Sequence, residues 1–162
     1  MERNKVFIHE SSFVSENSII GNNTKIWHFS HIREDVTIGK NVTIGQNVYI
    51  DQGVIIGNDV KIQNNVSIYK GVTIGNNVFI GPSVVFTNDL YPKVEIWDES
   101  LIVSTIIKDN VSLGANSTII AGVEVGEYSL IGAGSVVTKN ISRNSIAFGN
   151  PAEIKSKNYR KE

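Results

Sequence analysis

Residues 32–86 read IREDVTIGKNVTIGQNVYIDQGVIIGNDVKIQNNVSIYKGVTIGNNVFIGPSVVF, and an apolar residue returns at every sixth position, from Ile32 and Ile38 to Ile80 and Phe86. The series reaches back through Ile26, Ile20 and Val14 to Ile8. Four residues after each of these lies a second inward candidate: Ser12, Ser18, Thr24 and Ser30 first, then Val36, Val42, Val48 and onward to Val84. Neither the 3.6-residue period of an amphipathic helix nor the simple alternation of a hairpin strand fits this spacing. Three residues after the apolar position stand Asn17, Asn23, Asp35, Asn41, Asn47, Gly53, Asp59, Asn65, Gly71, Asn77 and Asp89. These residue types tolerate positive φ at least cost. The pattern predicts short strands separated by left-handed corners. Three strands make a triangular coil of about 18 residues, and coils stack at roughly 4.8 Å. The expected fold is all-β, a left-handed parallel β-helix with ladders of Ile and Val inside.

After Phe86 the register breaks. It resumes at Leu101 or Ile107 and runs through Leu113, Ile119, Val125, Ile131 and Val137, in a phase displaced by three. We read a single domain over 1–162, with coils over about 6–87 and 107–142, an inserted loop over about 88–106 and a C-terminal cap over about 143–162. The insertion holds Tyr91-Pro92 and Trp97. Loops that interrupt a regular solenoid are more often functional than bland.

Bulk properties narrow the function. At 41 % apolar and 19 % charged residues, with net charge −1, no electrostatic pull toward nucleic acid or an anionic membrane is present. The basic end KSKNYRKE (155–162) reads as a solvated terminus. The absence of cysteine excludes disulfides, thiolate metal sites and a cysteine nucleophile. The opening residues MERNKVFIHESS have no apolar h-region, and no apolar run approaches the roughly 18 residues of a membrane span, so a cytoplasmic protein is expected.

Positions 18 apart form columns along the stack. The repeats from Ile20, Ile38, Ile56 and Ile74 are plain scaffold, whereas the other two faces depart from it. His28, Gln46 and Asn64 make one column, His31, Tyr49 and Ser67 another, and Glu34, Gln52, Lys70 and Asn88 a third that ends where the insertion begins. Phe29 stands where a corner residue is expected. Packing between subunits explains any one of these. As a cluster they point to a binding cleft.

At IWHFSH (26–31), QNNVSIYKGVTI (63–74), VFIGPSVVFTND (78–89), LGANSTIIAGVEVGEYSLIGAGSVVTKN (113–140) and GNPAEI (149–154) the chain resembles the hexapeptide-repeat acyltransferases. More narrowly it is similar to bacterial N-acetyltransferases that acylate the 3-amino group of a nucleotide-linked sugar for surface polysaccharide such as lipopolysaccharide. The resemblance implies a homotrimer with active sites between neighbours and acetyl-CoA as co-substrate, without a metal. Acetyl-CoA is then expected beside Gly114, Ala115, Ala133 and Gly134, where small residues admit an extended chain, with Lys139 and Pro151 near its nucleotide end. The family carries Lys or Arg directly after Pro-Ala. This chain has Glu153, leaving Lys155 to supply the charge. Trp27, Gln46, Asn64, Tyr69, Lys70 and Asp89 are candidate sugar contacts.

The implied reaction is attack of a sugar amine on a thioester. A neutral amine is already a competent nucleophile, so positioning supplies much of the rate. In the family this chain resembles, the asparagine matching Asn88 holds the amino group. His28 and His31 are the alternative, as general bases. The insertion contains Lys93 and no arginine, which leans toward a neutral dTDP-3-amino-3,6-dideoxyhexose rather than a UDP-linked 3-amino uronate. Other solenoid functions fit less well. A β-helical carbonic anhydrase needs three imidazoles, and His9 lies a coil away from His28 and His31. An ice-binding face needs a threonine ladder, which Tyr49, Ile55, Lys61 and Ser67 interrupt. A serine O-acetyltransferase needs an N-terminal helical domain. A non-catalytic scaffold remains as the alternative to an enzyme.

Overall fold

A computed structural model describes residues 5–96 and 98–157; Trp97 and the final part of the basic tail, 158–162, lie outside the described residues. Nearly every repeat forms a strand of only two residues. In Lys25–Ile26, His31–Ile32 and Thr37–Ile38 the first side chain is exposed and the second buried. Within the regular coils each strand pairs in parallel with the strand 18 residues on, Ile26 with Ile44 and Ile44 with Ile62. The result is the expected left-handed parallel β-helix, with sheets of nine, seven and six strands among the described residues. The first sheet starts at Phe7–Ile8, the second at Phe13–Val14 and the third at Ile19–Ile20.

The core is the set of ladders that the period selects. Ile26, Ile44, Ile62 and Ile80 form one, and Ile32, Ile50, Ile68 and Phe86 another, all fully buried. The valines four residues later fill the space between them, from Val36 to Val84. At Thr24 and Ser30 the hydroxyls replace methyl groups, and they donate to the Gly39 and Gly45 carbonyls at 2.9 and 2.8 Å. These buried hydroxyls are therefore satisfied.

The corners turn as the Asn and Asp positions predict, with φ of 62° at Asn23, 59° at Asn41 and 61° at Asn65. Phe29, Ser83 and Tyr128 also adopt left-handed φ, at 57°, 60° and 58°, because the coils on either side fix the corner whatever residue occupies it. Two expected left-handed corners differ. Asn17 is not among the positive-φ residues. It sits in the first coil, where the turn closes on itself through Ser18 N–H donating to the Ser15 carbonyl, whereas Asn41 donates to the coil below through Asn22 O. Asp89 opens the insertion instead, its carboxylate accepting the Tyr91 N–H at 2.7 Å.

Across the insertion, Ile74 pairs with Ile107 and Ile80 with Leu113, 33 residues on rather than 18. The 15 extra residues are two repeats plus three, which is the phase shift seen in the sequence. The loop is tied at its base. Val103 N–H donates to the Asn88 carbonyl and Thr105 N–H to the Gly71 carbonyl, both at 3.1 Å. Gly71 has φ +94°, and a Cβ there would lie 2.8 Å from Cγ2 of Ile102, so the returning chain packs directly on a bare backbone. The tip of the loop exposes Tyr91, Val94 and Ile96.

At the other end Ser145–Gly149 extends the first sheet and Ala152–Lys157 folds back on it antiparallel. Ala152 packs against the core. No helix among the described residues is long and apolar enough to cross a membrane.

Candidate active site

The edge between the second and third sheets carries the third polar column. Arg33 and Glu34 lie in one coil, Asp51 and Gln52 in the next, then Tyr69 and Lys70, then Asn88 at the root of the insertion. With Glu99 and Ile102 from the returning loop, Arg33, Asp51, Gln52, Tyr69, Lys70 and Asn88 line a cleft of ≈ 410 Å³.

Asp51 is its hub. The Oδ1 atom accepts from Arg33 Nη1 at 3.0 Å, from the Tyr49 hydroxyl at 3.1 Å and from Gln52 N–H at 2.8 Å. Oδ2 accepts the Lys70 N–H at 3.2 Å. Arg33 also donates through Nε and Nη2 to the carboxylate of Glu34. That contact, followed by the Tyr49 hydroxyl, holds the guanidinium even more firmly protonated than usual. The Glu34 carboxyl is held below the ordinary range, first by its own backbone N–H and then by Arg33. Burial raises the Tyr49 hydroxyl above its usual value. Lys70 Nζ donates to Glu99 Oε1 at 2.6 Å and to Gln52 Oε1 at 3.4 Å. Both cations of the cleft are thus paired, and three carboxylates, Glu34, Asp51 and Glu99, face two positive groups.

The structure brings three of the sequence candidates, Tyr69, Lys70 and Asn88, into this cleft. Asp89 follows at the start of the loop. The others lie elsewhere. Trp27, His28, Gln46 and Asn64 occupy the edge between the first and second sheets. There the Trp27 ring stands 5.3 Å from Phe7 and nearly parallel to His28, and Gln46 N–H donates to Asn64 Oδ1 at 3.0 Å. His28 stacks on His9, with ring centres 3.5 Å apart. His31 projects from the second sheet between Phe13 and Tyr49, at 5.2 and 5.7 Å.

Gly114, Ala115, Ala133 and Gly134 continue the first edge. A Cβ on Gly114 would lie 2.4 Å from Ala133 N, so coil stacking itself demands glycine there, whereas Gly134, at φ +68°, faces open space. Lys139 sits on the other edge, in line with Asn88, and Pro151 forms the turn of the terminal hairpin. Lys155 is not a free cation: its Nζ is 2.7 Å from Glu153 Oε2 and 5.8 Å from the Phe148 ring centre. Lys155, with a smaller contribution from Lys139, lowers the Glu153 carboxyl.

Arg33, Asp51 and Glu99 escaped the reading of the sequence. The first two were within reach, since they stand 18 apart and therefore stack. Glu99 belongs to the loop, whose path no period sets.

Residues 17–52, 53–88 and 104–139 match the family described as bacterial transferase hexapeptide (six repeats), together two thirds of the chain. Among curated relatives, the chain is 57% identical over 51 residues to the dTDP-3-amino-3,6-dideoxy-alpha-D-galactopyranose 3-N-acetyltransferase of Aneurinibacillus thermoaerophilus, covering 32% of this chain and 27% of that protein. It is 51% identical over 57 residues to the bifunctional protein GlmU of Streptococcus gordonii, covering 35% of this chain and 12% of that one. The matched stretches thus span less than a third of either relative. Among solved structures, the polySia specific acetyltransferase NeuO superposes with a TM-score of 0.66 at 28% identity, over 95% of this chain and 80% of that one. A hexapeptide-repeat acetyltransferase of Vibrio cholerae, solved with acetyl coenzyme A, superposes with a TM-score of 0.59 at 28% identity, over 72% and 71%. The repeats, the solenoid they build and these matches agree: the chain belongs to the bacterial transferase hexapeptide family.

Proposed function

We propose that this protein is an acetyl-CoA-dependent N-acetyltransferase acting in the cytoplasm on the 3-amino group of a nucleotide-linked sugar, a dTDP-3-amino-3,6-dideoxyhexose. Its product would serve bacterial surface polysaccharide synthesis. The observation that carries the choice of sugar is the cleft beside Asn88, where Arg33 and Lys70 are already paired with carboxylates. Such a lining disfavours the carboxylate of a UDP-linked uronate and suits an uncharged hexose that brings an amine. The short but close match to a dTDP-amino-sugar acetyltransferase supports the same choice.

In the reaction the amine nitrogen attacks the thioester carbonyl. The tetrahedral intermediate then collapses with cleavage of the carbon–sulfur bond, and the departing CoA thiolate takes the proton released by nitrogen. The products are an amide and free CoA. The Asn88 side chain holds the amine in line for attack. The exposed backbone at Ala133 and Gly134 offers donors and acceptors to the pantetheine chain. Those residues and Asn88 lie on different edges of one prism, so a groove closed by two copies side by side brings them together. This supports a homotrimer, as do the exposed Phe13 and Phe29, 63% and 68% accessible.

Free thiol released from acetyl-CoA tests the reading against a panel of amino-sugar nucleotides with hydroxyl-only controls. Fast release with a neutral 3-amino hexose supports it. Release with the uronate alone overturns the choice of sugar, and failure to bind CoA overturns the enzyme. On this mechanism the His28→Gln/His31→Gln double variant keeps its turnover within about tenfold. A loss of 10²–10⁴-fold, the usual contribution of a general base, identifies a histidine in that role instead.

A further inference from the structure

We infer that Glu99 is a specificity-determining residue, which masks the Lys70 ammonium and so closes the cleft to sugars carrying a carboxylate. The inference rests on the proposed acceptor class and adds the device that selects within it.

Among the described residues, Lys70 is the one amine-bearing side chain lining the cleft that holds Asn88, and it is 30% exposed. Left alone, it would be a point charge well placed for an anionic sugar. Two acceptors take its ammonium, Gln52 Oε1 from the coil below and Glu99 Oε1 from the insertion. Only Glu99 neutralises it.

An exposed ion pair between flexible side chains carries little weight. This one is presented by a fixed turn. Glu99–Leu101 is a single 3-10 turn capped by Asp98, whose carboxylate accepts the Ser100 N–H at 2.7 Å. The Ser100 hydroxyl and N–H hold that carboxyl below its ordinary range, so the cap stays ionised. The Glu99 carbonyl accepts the Ile102 N–H at 3.1 Å, and Ile102 packs on Gly71, the residue after Lys70. The backbone that carries the carboxylate is therefore docked on the backbone that carries the ammonium. None of these contacts uses the Glu99 side chain.

Glu99→Gln consequently removes the charge and keeps the turn. The test compares dissociation constants for a dTDP-linked neutral 3-amino hexose and a UDP-linked 3-amino uronate, in wild type, Glu99→Gln and Lys70→Met/Glu99→Gln, with thermal melting as a check on folding. The expected result is a shift of about tenfold toward the uronate, relative to the neutral sugar, in Glu99→Gln at low salt. That gain disappears when Lys70 is also removed, and the melting temperature changes little. An unchanged ratio, or a gain that persists without Lys70, overturns the inference while leaving the acetyltransferase reading intact. Failure of every variant to bind either sugar overturns both.

Discussion

On the proposed mechanism, Asn88→Ala is expected to lower kcat for the amine acceptor by about 100-fold, with KM for acetyl-CoA within a factor of two. The size follows from what positioning supplies: an amine that is not held in line loses orders of magnitude even when the nucleophile itself is unchanged. The variant isolates the side chain, because the Asn88 carbonyl that accepts Val103 N–H belongs to the backbone and survives the change. Steady-state kinetics with both substrates varied provide the check. A rise in KM for the amine acceptor, with kcat intact, would assign Asn88 to general binding and remove it from the reacting centre.

Phe86→Ala gives the largest loss of stability, about 3–5 kcal/mol by comparison with other buried aromatic truncations. Phe86 has no exposed surface and is the largest fully buried side chain among the described residues. It replaces isoleucine in the ladder above Ile68, and its strand pairs onward with Ile119. The cavity left behind opens at the coil where the insertion departs, one residue below Thr87, whose hydroxyl accepts Ala121 N–H at 2.9 Å. Denaturant unfolding measures the cost, and Phe86→Leu, which keeps most of the volume, should lose much less. Hydrogen exchange should show the opening concentrated in the coils flanking the insertion, since a solenoid coil is held mainly by its two neighbours. A loss below 1 kcal/mol would mean that the ladder collapses around the gap.

The fold was legible because a solenoid writes its contacts at a constant offset. Ile44 touches Ile26 and Ile62 by virtue of position, so the period alone names the neighbours. The same rule placed Gln52, Lys70 and Asn88 on one edge. It separated them from Trp27, His28, Gln46 and Asn64 only once the corners were assigned to particular pairs of sheets. Corner chemistry was legible in part. Asn23 and Asn41 turn as expected, but Phe29 and Tyr128 show that stacking imposes φ on residues whose own preference lies elsewhere. Glu99 was beyond reach for a different reason. Its partner Lys70 lies 29 residues back, an offset set by a loop that docks through Ile102 and Gly71 rather than by repetition. The Asp51 hub was hidden because a carboxylate between two corners reads as another polar turn residue until its donors are counted.

The two-residue strands and their constant 18-residue offset make the molecule a rotary counter. Removing one hexapeptide anywhere before Asn88 would leave every buried isoleucine facing inward, so the core would close as well as before. A deletion between Arg33 and Asn88, however, would step all later residues through a third of a turn onto the next face and split the edge that holds Arg33, Asp51, Lys70 and Asn88. Removing three hexapeptides would restore the angle and shorten the stack by roughly 4.8 Å. Changes in length within this architecture are therefore free in steps of 18 and ruinous to chemistry in steps of six, although both are silent to the hydrophobic pattern.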